Sequence, residues 1–288
     1  MIIRITEFQY FRFGVSFSSS QLLTNSLNSA QQSQSWVQNN GHPYSRLAHD
    51  DASNNIYLFY GTNFTSLEGI VGWDWDTRNR TLFADRGMRQ SISSSITLPS
   101  SDVHYWVGNY QFVKYVPLGK HLTFSFLEGV DYGMAFGDTT AIPPYRQFFG
   151  GGPDSVRGFR ESRLGPKDQY GNPFGGNLRI TSQNELILPM PAKWQQTARV
   201  TLFYDIGNVY ETSSFYKFYG PNGYTPQSYK WAGFGSLKRS TGIAVQWLAP
   251  LGLFRFSYGI PLNAKHGDGW TTWGDETEGF QFSVGNAF

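Results

Sequence analysis

Apolar and polar side chains alternate along much of this sequence with a period of two residues, and this alternation restricts the fold more than any other feature. The last ten residues show it most clearly, because the odd positions there are small or polar. The even positions of the same segment carry Phe280, Phe282, Val284, Asn286 and Phe288. Successive side chains of a β-strand point to opposite faces of a sheet, so the pattern predicts strands with one apolar face.

The second face of the predicted strands carries charged residues in mid-strand. Glu185 and Asp205, for example, alternate with Leu186 and Tyr204. A soluble β-sandwich also alternates, but its inner face forms a dry core. A polar inner face and an apolar outer face are typical of a transmembrane β-barrel, whose lumen is wet and whose outside meets lipid. The pattern therefore favours an all-β fold, an antiparallel transmembrane β-barrel, and leaves a soluble β-sandwich as the alternative.

Composition agrees with a β-barrel and excludes several other classes of protein. The longest unbroken apolar run is Ile56–Tyr60, five residues, whereas a membrane-spanning helix needs about 20. A net charge of only +2 speaks against nucleic-acid binding, which needs a basic surface. The absence of cysteine excludes disulfides, thiolate metal sites and a cysteine nucleophile. The first residues contain no apolar stretch followed by a small-residue cleavage site, so no signal peptide is expected.

The alternating segments predict about ten strands, joined by connections that are alternately short and long, as in transmembrane barrels. The predicted strands are near 6–20, 64–76, 87–98, 103–116, 121–135, 177–188, 197–210, 239–249, 252–261 and 279–288. Residues 55–62 either belong to the first long connection or pair with a neighbouring strand. Very little helix is expected, and Asn25–Asn40, which is rich in Asn, Ser and Gln, is expected to be a mobile loop.

One segment of the longest connection stands out, Phe148–Phe159, which reads FFGGGPDSVRGF. Its glycine triplet could cradle a phosphate, but no Gly-Lys-Ser/Thr follows, so nucleotide binding is not indicated. A flexible, solvent-exposed loop is the plain alternative. The apolar residues Val156 and Phe159 argue against a solvated loop tip, because they are suited to packing.

The tetrapeptide Val156-Arg157-Gly158-Phe159, followed by Leu164-Gly165-Pro166, resembles the sixth loop of the family of outer-membrane β-barrel assembly factors, the BamA family. Further segments resemble that family in the same order, namely Pro99–Asp102, Tyr115–Pro117, Asp205–Val209, Gln246–Gly252 and Phe280–Gly285. The paralogous translocation factors and two-partner-secretion transporters share the Arg-Gly-Phe motif but less of the remainder. The resemblance implies that residues 1–288 are the C-terminal portion of a sixteen-stranded outer-membrane barrel. By the same comparison, the POTRA domains and the first strands are absent, and the chain starts near the seventh strand.

The resemblance also implies roles for individual residues. In the family this loop folds back into the lumen, and its arginine is held by acidic residues of the barrel wall. The matching positions here are Arg157, Glu185 and Asp205, and a guanidinium bridges two carboxylates with paired hydrogen bonds that lysine cannot make. Phe159 is expected to pack against an inward residue such as Phe203. The plain alternative is that the two carboxylates are ordinary charges of a wet lumen.

The C-terminal strand has two compatible interpretations. It is a lipid-facing strand, and its residues Phe280, Phe282, Gly285 and Phe288 resemble the sorting signal that barrel proteins present to the assembly machinery. Strand addition at an unpaired edge would suit such recognition. In the family this strand pairs weakly with the first strand and forms a lateral gate, and Gly285 is expected to lower the pairing strength.

The resemblance implies insertion and folding of β-barrel proteins in the outer membrane of a Gram-negative bacterium. The implied partners are outer-membrane lipids, unfolded β-barrel clients and assembly-complex lipoproteins, and no cofactor is implied. A passive pore or a protein-secretion or translocation channel of the same superfamily is the alternative. No enzyme is expected, because an arginine between two carboxylates lowers both pKa values and leaves no proton donor. The five histidines lack a metal-ligand spacing, so no metal site is expected.

Overall fold

The computed structural model describes residues 1–50, 55–119 and 122–285. Its strands are β1 (Ile2–Arg4), β2 (Gln9–Asn25), β3 (His42–Asp50), β4 (Asn55–Asp76), β5 (Gly87–Thr97), β6 (Tyr105–Leu118), β7 (Leu122–Ala135), β8 (Leu178–Ile187), β9 (Ala198–Tyr210), β10 (Phe218–Tyr219), β11 (Pro226–Gln227), β12 (Lys238–Ala249), β13 (Gly252–Pro261) and β14 (Phe280–Gly285). The described residues also include helix α1 (Gln31–Asn39) and two 3₁₀ turns, Pro144–Arg146 and Phe234–Ser236. None of the described helices has the length and hydropathy that crossing a membrane requires.

Twelve of these strands form one antiparallel sheet, and β10 and β11 form a small separate hairpin. The order in the sheet is β1-β2-β4-β5-β6-β7-β8-β9-β12-β13-β14, with β3 beside β4. Apart from β3, which lies on the other side of β4 from β2, successive strands of the sheet are neighbours in it, as hairpins require. A soluble sandwich is excluded, because a sandwich needs two large sheets packed face to face. Within the described residues β1 and β14 are the two ends of the sheet and are not paired with each other.

The ten predicted strands correspond to β2, β4–β9 and β12–β14, which confirms the antiparallel all-β prediction. The strands β1 and β3 lie outside the predicted set. Residues 55–62 form the first part of β4, which pairs with β3 on one side and, from Phe59 onward, with β2 on the other. β2 itself continues to Asn25 rather than ending at residue 20. Alternation misses these extensions because strands that project beyond the lipid need no apolar face.

The two faces of the sheet differ as the alternation predicts. On β9, Phe203 and Asp205 are buried, whereas Leu202 and Tyr204 are 46% and 37% exposed. The buried face is polar and encloses the connection between β7 and β8. The exposed apolar face is the side that meets lipid, since an apolar surface of this extent is costly in water.

The prediction that Asn25–Asn40 is a mobile loop is wrong, because residues 31–39 form α1 and its Trp36 and Val37 are fully buried. The indole nitrogen of Trp36 donates a hydrogen bond to the carbonyl oxygen of Ala141 at 2.8 Å. The Trp36 ring also packs edge-on against Phe64 of β4. An isolated helix of this length is marginal in water, so burial against the rest of the protein stabilises α1.

Candidate functional site: the loop inside the sheet

The connection between β7 and β8, residues 136–177 (the inserted loop), runs along the buried polar face of the sheet. Val156 and Phe159 have no exposed surface, and Arg157 is only 4% exposed. Val156, Phe159 and Leu164 form a small apolar cluster, against which Ala264 packs. A connection of this length is well beyond the ordinary range. Burial of its central residues gives it a defined position.

Arg157 joins the inserted loop to two strands. Its Nε and Nη2 atoms donate hydrogen bonds to the two carboxylate oxygens of Asp205 on β9, each at 2.7 Å. Its Nη1 atom donates to Oε1 of Glu185 on β8 at 2.5 Å, and its backbone amide donates to Oδ2 of Asp205 at 3.0 Å. Burial opposes the charge of the guanidinium, but the bonds to Asp205 and Glu185 outweigh burial and raise the pKa of Arg157. The structure thus brings these three residues together.

Phe203 of β9 lies beneath Arg157. The Cζ atom of Arg157 is 3.8 Å from the centroid of the Phe203 ring, a distance at which a cation is attracted to the ring face. The expected contact partner of Phe203 was Phe159, and the structure places Arg157 there instead. The guanidinium covers this face of the Phe203 ring, and Phe159 packs with Val156 and Leu164.

Gly158 allows the backbone of the inserted loop to touch the wall of the sheet. Its φ of 85° lies in the left-handed region that glycine adopts without strain. A Cβ atom at Gly158 would lie 3.0 Å from the carbonyl carbon of Gly259 on β13. A Cβ atom at Gly259 would lie 2.7 Å from the amide nitrogen of Gly158. The two glycines therefore permit direct contact between the loop backbone and the strand backbone.

Gln281 of β14 binds the same part of the loop. Its Oε1 atom accepts a hydrogen bond from the Gly158 amide at 3.3 Å, and its Nε2 atom donates to the Phe159 carbonyl oxygen at 2.7 Å. The amide of Glu278, just before β14, donates to the Gly158 carbonyl oxygen at 2.9 Å. Sequence reasoning did not single out Gln281, although its position on the small-or-polar face of the last strand indicated that it points inward.

Glu276, in the connection before β14, is the centre of a second charge cluster. Its carboxylate oxygens lie 3.0 Å from Nζ of Lys167, 3.1 Å from Nη1 of Arg160 and 3.4 Å from Nη1 of Arg163. Burial opposes ionisation of Glu276, but the hydrogen bond from Lys167 and the three positive charges outweigh it. The pKa of Glu276 is therefore held below its ordinary value of 4.5. This cluster ties the inserted loop to the connection 262–279.

Arg146 provides a third attachment, near the start of the inserted loop. Its guanidinium forms an ion pair with Glu68 on β4 and lies 5.6 Å from the centroid of the Tyr105 ring on β6. The Tyr105 hydroxyl donates to Oε1 of Glu68 at 2.8 Å. Sequence reasoning missed this pair as well. Glu68 is a charged residue on the inner face of a predicted strand. The same feature singled out Glu185 and Asp205, and it could have identified Glu68.

At the opposite end of the sheet, the connection between β4 and β5, residues 77–86 (the inward turn), also folds into the interior. Its Phe83 and Ala84 are buried, and Nη2 of Arg199 on β9 donates to the Ala84 carbonyl oxygen at 2.7 Å. The Arg199 guanidinium lies 5.2 Å from the Phe83 ring centroid. Phe83 has a φ of 51°, an uncommon conformation for a bulky residue. A cavity of about 200 Å³ separates this turn from the inserted loop.

The C-terminal strand presents aromatic residues on the lipid-facing side. Phe280 and Phe282 are 60% and 49% exposed, and both pair with residues of β13. Gly285 pairs with Leu253 at the last described position of β14. Phe288 lies outside the described residues. In the described part of the chain β14 has a partner on one side only, so its other edge is unpaired.

The groups gathered inside the sheet are ionic and hydrogen-bonding groups that hold backbone segments in place. Both carboxylates near the tetrapeptide are engaged by the same guanidinium, that of Arg157. No group of three or more His, Asp or Glu side chains within the described residues could hold a metal ion.

The chain matches the Omp85 superfamily domain over residues 3–288. It is 34% identical over 240 residues to the outer membrane protein assembly factor BamA of Neisseria meningitidis serogroup B, covering 77% of this chain and 28% of that protein. It is 28% identical over 149 residues to BamA of Nitratidesulfovibrio vulgaris, covering 51% of this chain and 16% of that protein. Its fold is similar to the crystal structure of BamA from Haemophilus ducreyi lacking POTRA domains 1–3, with a TM-score of 0.76, 26% identity and coverage of 96% of this chain and 51% of that chain. The chain thus spans less than a third of either curated relative.

Proposed function

Because the chain belongs to the Omp85 superfamily, we propose that it is the C-terminal barrel portion of an assembly factor that inserts and folds β-barrel proteins. It is located in the outer membrane of a Gram-negative bacterium. The chain spans half of its structural relative, and its sheet ends at β1 and β14. We therefore propose that residues 1–288 form part of a larger barrel, with sixteen strands in all, and that POTRA domains belong to the whole protein.

One observation carries this proposal: a single tetrapeptide bridges two distant parts of the sheet. Arg157 binds β8 and β9, whereas the adjacent Gly158 and Phe159 bind β14 through Gln281. The inserted loop thereby braces the edge strand β14 from inside. When the seam beside β14 opens, the backbone groups of this braced strand offer an incoming strand a template for pairing, which is the step that insertion of a β-barrel client requires.

We assign loop anchoring to the tetrapeptide Val156, Arg157, Gly158 and Phe159, with Glu185 and Asp205 as the carboxylate partners in the lumen. The fork of the Arg157 guanidinium satisfies both oxygens of Asp205 at once, and its remaining nitrogen reaches Glu185. Gly158 supports the assignment through its close contact with Gly259. The role of this group is positional, so the assembly activity needs no cofactor and no catalytic step at these residues.

We assign two roles to the last strand, β14: it forms one side of the lateral gate, and it carries the sorting signal. Phe280 and Phe282 face lipid, and an aromatic strand end of this kind suits recognition by strand addition. Gly285 has no side chain to add to cross-strand packing, which would weaken pairing at this end. Phe288 completes the proposed signal. The partners that follow are outer-membrane lipids, unfolded β-barrel clients and assembly-complex lipoproteins.

A passive pore or a translocation channel is the competing function, and it predicts an open passage. The inserted loop and the inward turn enter the lumen from opposite ends, and the cavity between them is only about 200 Å³. Two chain segments inside the lumen favour assembly over passive conduction, which needs an open passage.

The test is reconstitution of the whole protein in liposomes, with an unfolded outer-membrane barrel as the client. We expect folded, protease-resistant client to form faster than in empty liposomes, and Arg157→Ala to remove most of the acceleration. Conductance across planar bilayers is measured on the same preparation. A large, steadily open conductance without acceleration of client folding would overturn the assembly function in favour of the channel.

A further inference from the structure

The connection between β9 and β12, residues 211–237, passes from the inside of the sheet to the outside. On the inside, the Tyr229 carbonyl oxygen accepts a hydrogen bond from the Glu211 amide at 3.0 Å, and the Tyr229 ring packs against Phe218. Two residues later, Trp231 makes an edge-on contact with Tyr210, with 5.1 Å between the ring centroids. The chain therefore crosses the rim of the sheet between Tyr229 and Trp231.

Tyr210 lies on the lipid-facing side of β9. It shares that side with Leu202 and Tyr204, which are exposed. Its neighbour Val209 points the other way, because a Cβ atom at Gly165 of the inserted loop would lie 2.6 Å from the Cβ atom of Val209. Tyr210 is nevertheless only 3% exposed, because residues 231–236 (the flap) cover it from outside.

Hydrogen bonds fasten the flap to the outer side of β9. The Nδ2 atom of Asn208 donates to the Ser236 carbonyl oxygen at 3.0 Å, and the hydroxyls of Tyr210 and Ser236 are hydrogen-bonded at 2.8 Å. Phe234 makes an edge-on contact with Trp231, with 5.7 Å between the ring centroids, and is 79% exposed. The flap therefore presents two aromatic rings on the side of the sheet that faces lipid.

Along the membrane normal, the flap lies level with the edge of the apolar band of the barrel. β9 has 13 residues, which at about 3.3 Å each give about 40 Å along the strand. A tilt of about 40° converts this length to about 30 Å of height, slightly more than the apolar band of about 25 Å on such barrels. The flap contacts the last residues of β9, so it lies at the boundary between acyl chains and headgroups.

Two exposed basic residues flank the flap. Lys230 precedes Trp231, and Arg239 lies on the lipid-facing side at the start of β12, opposite Ile206. Neither side chain forms an ion pair within the part of the chain that the structure describes. Aromatic side chains favour the headgroup level, and basic side chains near a membrane surface attract anionic lipids.

We propose that the flap, together with Lys230 and Arg239, is a docking site for the anionic, phosphate-bearing headgroup of an outer-leaflet lipid. Trp231 and Phe234 enter the interface, and the two basic side chains bind the headgroup charge. Binding of the headgroup holds the boundary between acyl chains and headgroups at this height beside the paired strands β9 and β12. The inference rests on the membrane placement in the proposed function and not on client folding.

The depth of the flap in lipid can be measured with single cysteine labels, because residues 1–288 contain no cysteine and any cysteine in the rest of the whole protein is replaced by serine. Nitroxide labels are placed at Phe234→Cys, at Ile243→Cys on the lipid-facing side of β12, and at Tyr224→Cys, which replaces a side chain 86% exposed in the same connection. The whole protein is reconstituted in phosphatidylcholine vesicles with or without phosphatidylglycerol. We expect the Phe234 label to be accessible to oxygen, like the Ile243 label, and protected from a water-soluble nickel complex. A Phe234 label as accessible to nickel as the Tyr224 label would overturn docking.

The charge requirement is tested by Lys230→Gln and Arg239→Gln in the Phe234→Cys background. Each basic residue near an anionic surface changes partitioning roughly fivefold, so the double variant should lose the extra protection that phosphatidylglycerol provides. The headgroup assignment would be overturned if the Phe234 label were equally protected from nickel with and without phosphatidylglycerol. It would also be overturned if phosphatidylglycerol protected the label as much in the double variant as in the parent. Client folding is assayed on the same vesicles. Loss of client folding with the Phe234 label still in lipid would count against the assembly function alone.

Discussion

Gln281 on the last strand and Phe159 in the inserted loop are joined by a hydrogen bond of 2.7 Å, from the side-chain amide of Gln281 to the backbone carbonyl oxygen of Phe159. Both residues are at least nine-tenths buried. The bond lies two residues from Arg157, whose guanidinium is bound to Glu185 and Asp205. The position of the edge strand and the position of the inserted loop are thus coupled through a few adjacent residues.

Removal of the Gln281 side chain should release β14 from the inserted loop without unfolding the sheet. Gln281→Ala leaves the Phe159 carbonyl oxygen and the Gly158 amide without their side-chain partner, which costs on the order of 1–3 kcal/mol for buried groups. We expect faster amide hydrogen exchange in β14 and at residues 156–160. Ser283→Ala, on the same face of β14, is the matched control. If the two variants exchange equally, Gln281 does not couple the loop to the strand.

Arg157→Ala should free the inserted loop, because it leaves the buried carboxylate of Asp205 and the half-buried carboxylate of Glu185 without their positive partner. Breaking a buried ion pair by removal of one partner costs about 3–5 kcal/mol. Arg157→Lys should restore only part of the attachment, because an ammonium cannot bind both oxygens of Asp205 in a planar pair. The measurement is the rate of proteolytic cleavage within residues 136–177. Equal cleavage in wild type, Arg157→Ala and the double variant Glu185→Gln/Asp205→Asn would show that these residues do not anchor the loop.

Arg199 should hold the inward turn inside the lumen. Arg199→Gln shortens the side chain and removes both the hydrogen bond to Ala84 and the charge over the Phe83 ring, so the uncommon positive φ of Phe83 loses its support. We expect faster cleavage of residues 77–86 by protease added on the side of the turn. Arg89→Gln on β5 is the control, since Arg89 binds Asp74 of β4 rather than the turn. Unchanged cleavage in Arg199→Gln would mean that the turn is held by its own packing.

The contact between the inserted loop and the connection 262–279 should weaken in acid. The pKa of Glu276 is held below its ordinary value of 4.5 by Lys167, Arg160 and Arg163 against the effect of burial. A carboxyl whose pKa is lower in the folded state adds stability at pH above its ordinary value, and that stability is lost as the pH falls through the lowered value.

Hydrogen exchange at residues 158–168, corrected for its intrinsic pH dependence, should therefore rise when the pH falls below about 4.5. Glu276→Gln should show raised exchange already at pH 7 and little further change in acid. Glu278→Gln, at an exposed position two residues away, should behave as wild type. An identical acid response in wild type and Glu276→Gln would rule out this cluster as the pH-sensitive contact.

Most strands could be predicted from the sequence, because the alternation of apolar and polar side chains indicates which face of a strand meets lipid and which meets the lumen. The segments that became β7, β9 and β13 alternate cleanly, and each of these strands pairs with the strand before it in the sheet across a short connection. Glu185 and Asp205 could be assigned to the inner face by parity alone. α1 could not be predicted in this way, because its polar sequence has no clear helical period and its Trp36 packs against residues far away in the chain, such as Phe64 and Ala141.

The sequence by itself determined the class of fold, the inward direction of the charged side chains and the presence of an ordered motif around Arg157. These are local properties, set by a period of two residues and by side-chain chemistry. Only the tertiary structure decided that Gln281 meets Phe159, that Arg199 holds the inward turn and that residues 231–236 cross to the outer side of β9. Each of these contacts joins residues that are distant in the chain, and their geometry depends on curvature and loop paths that no local pattern encodes.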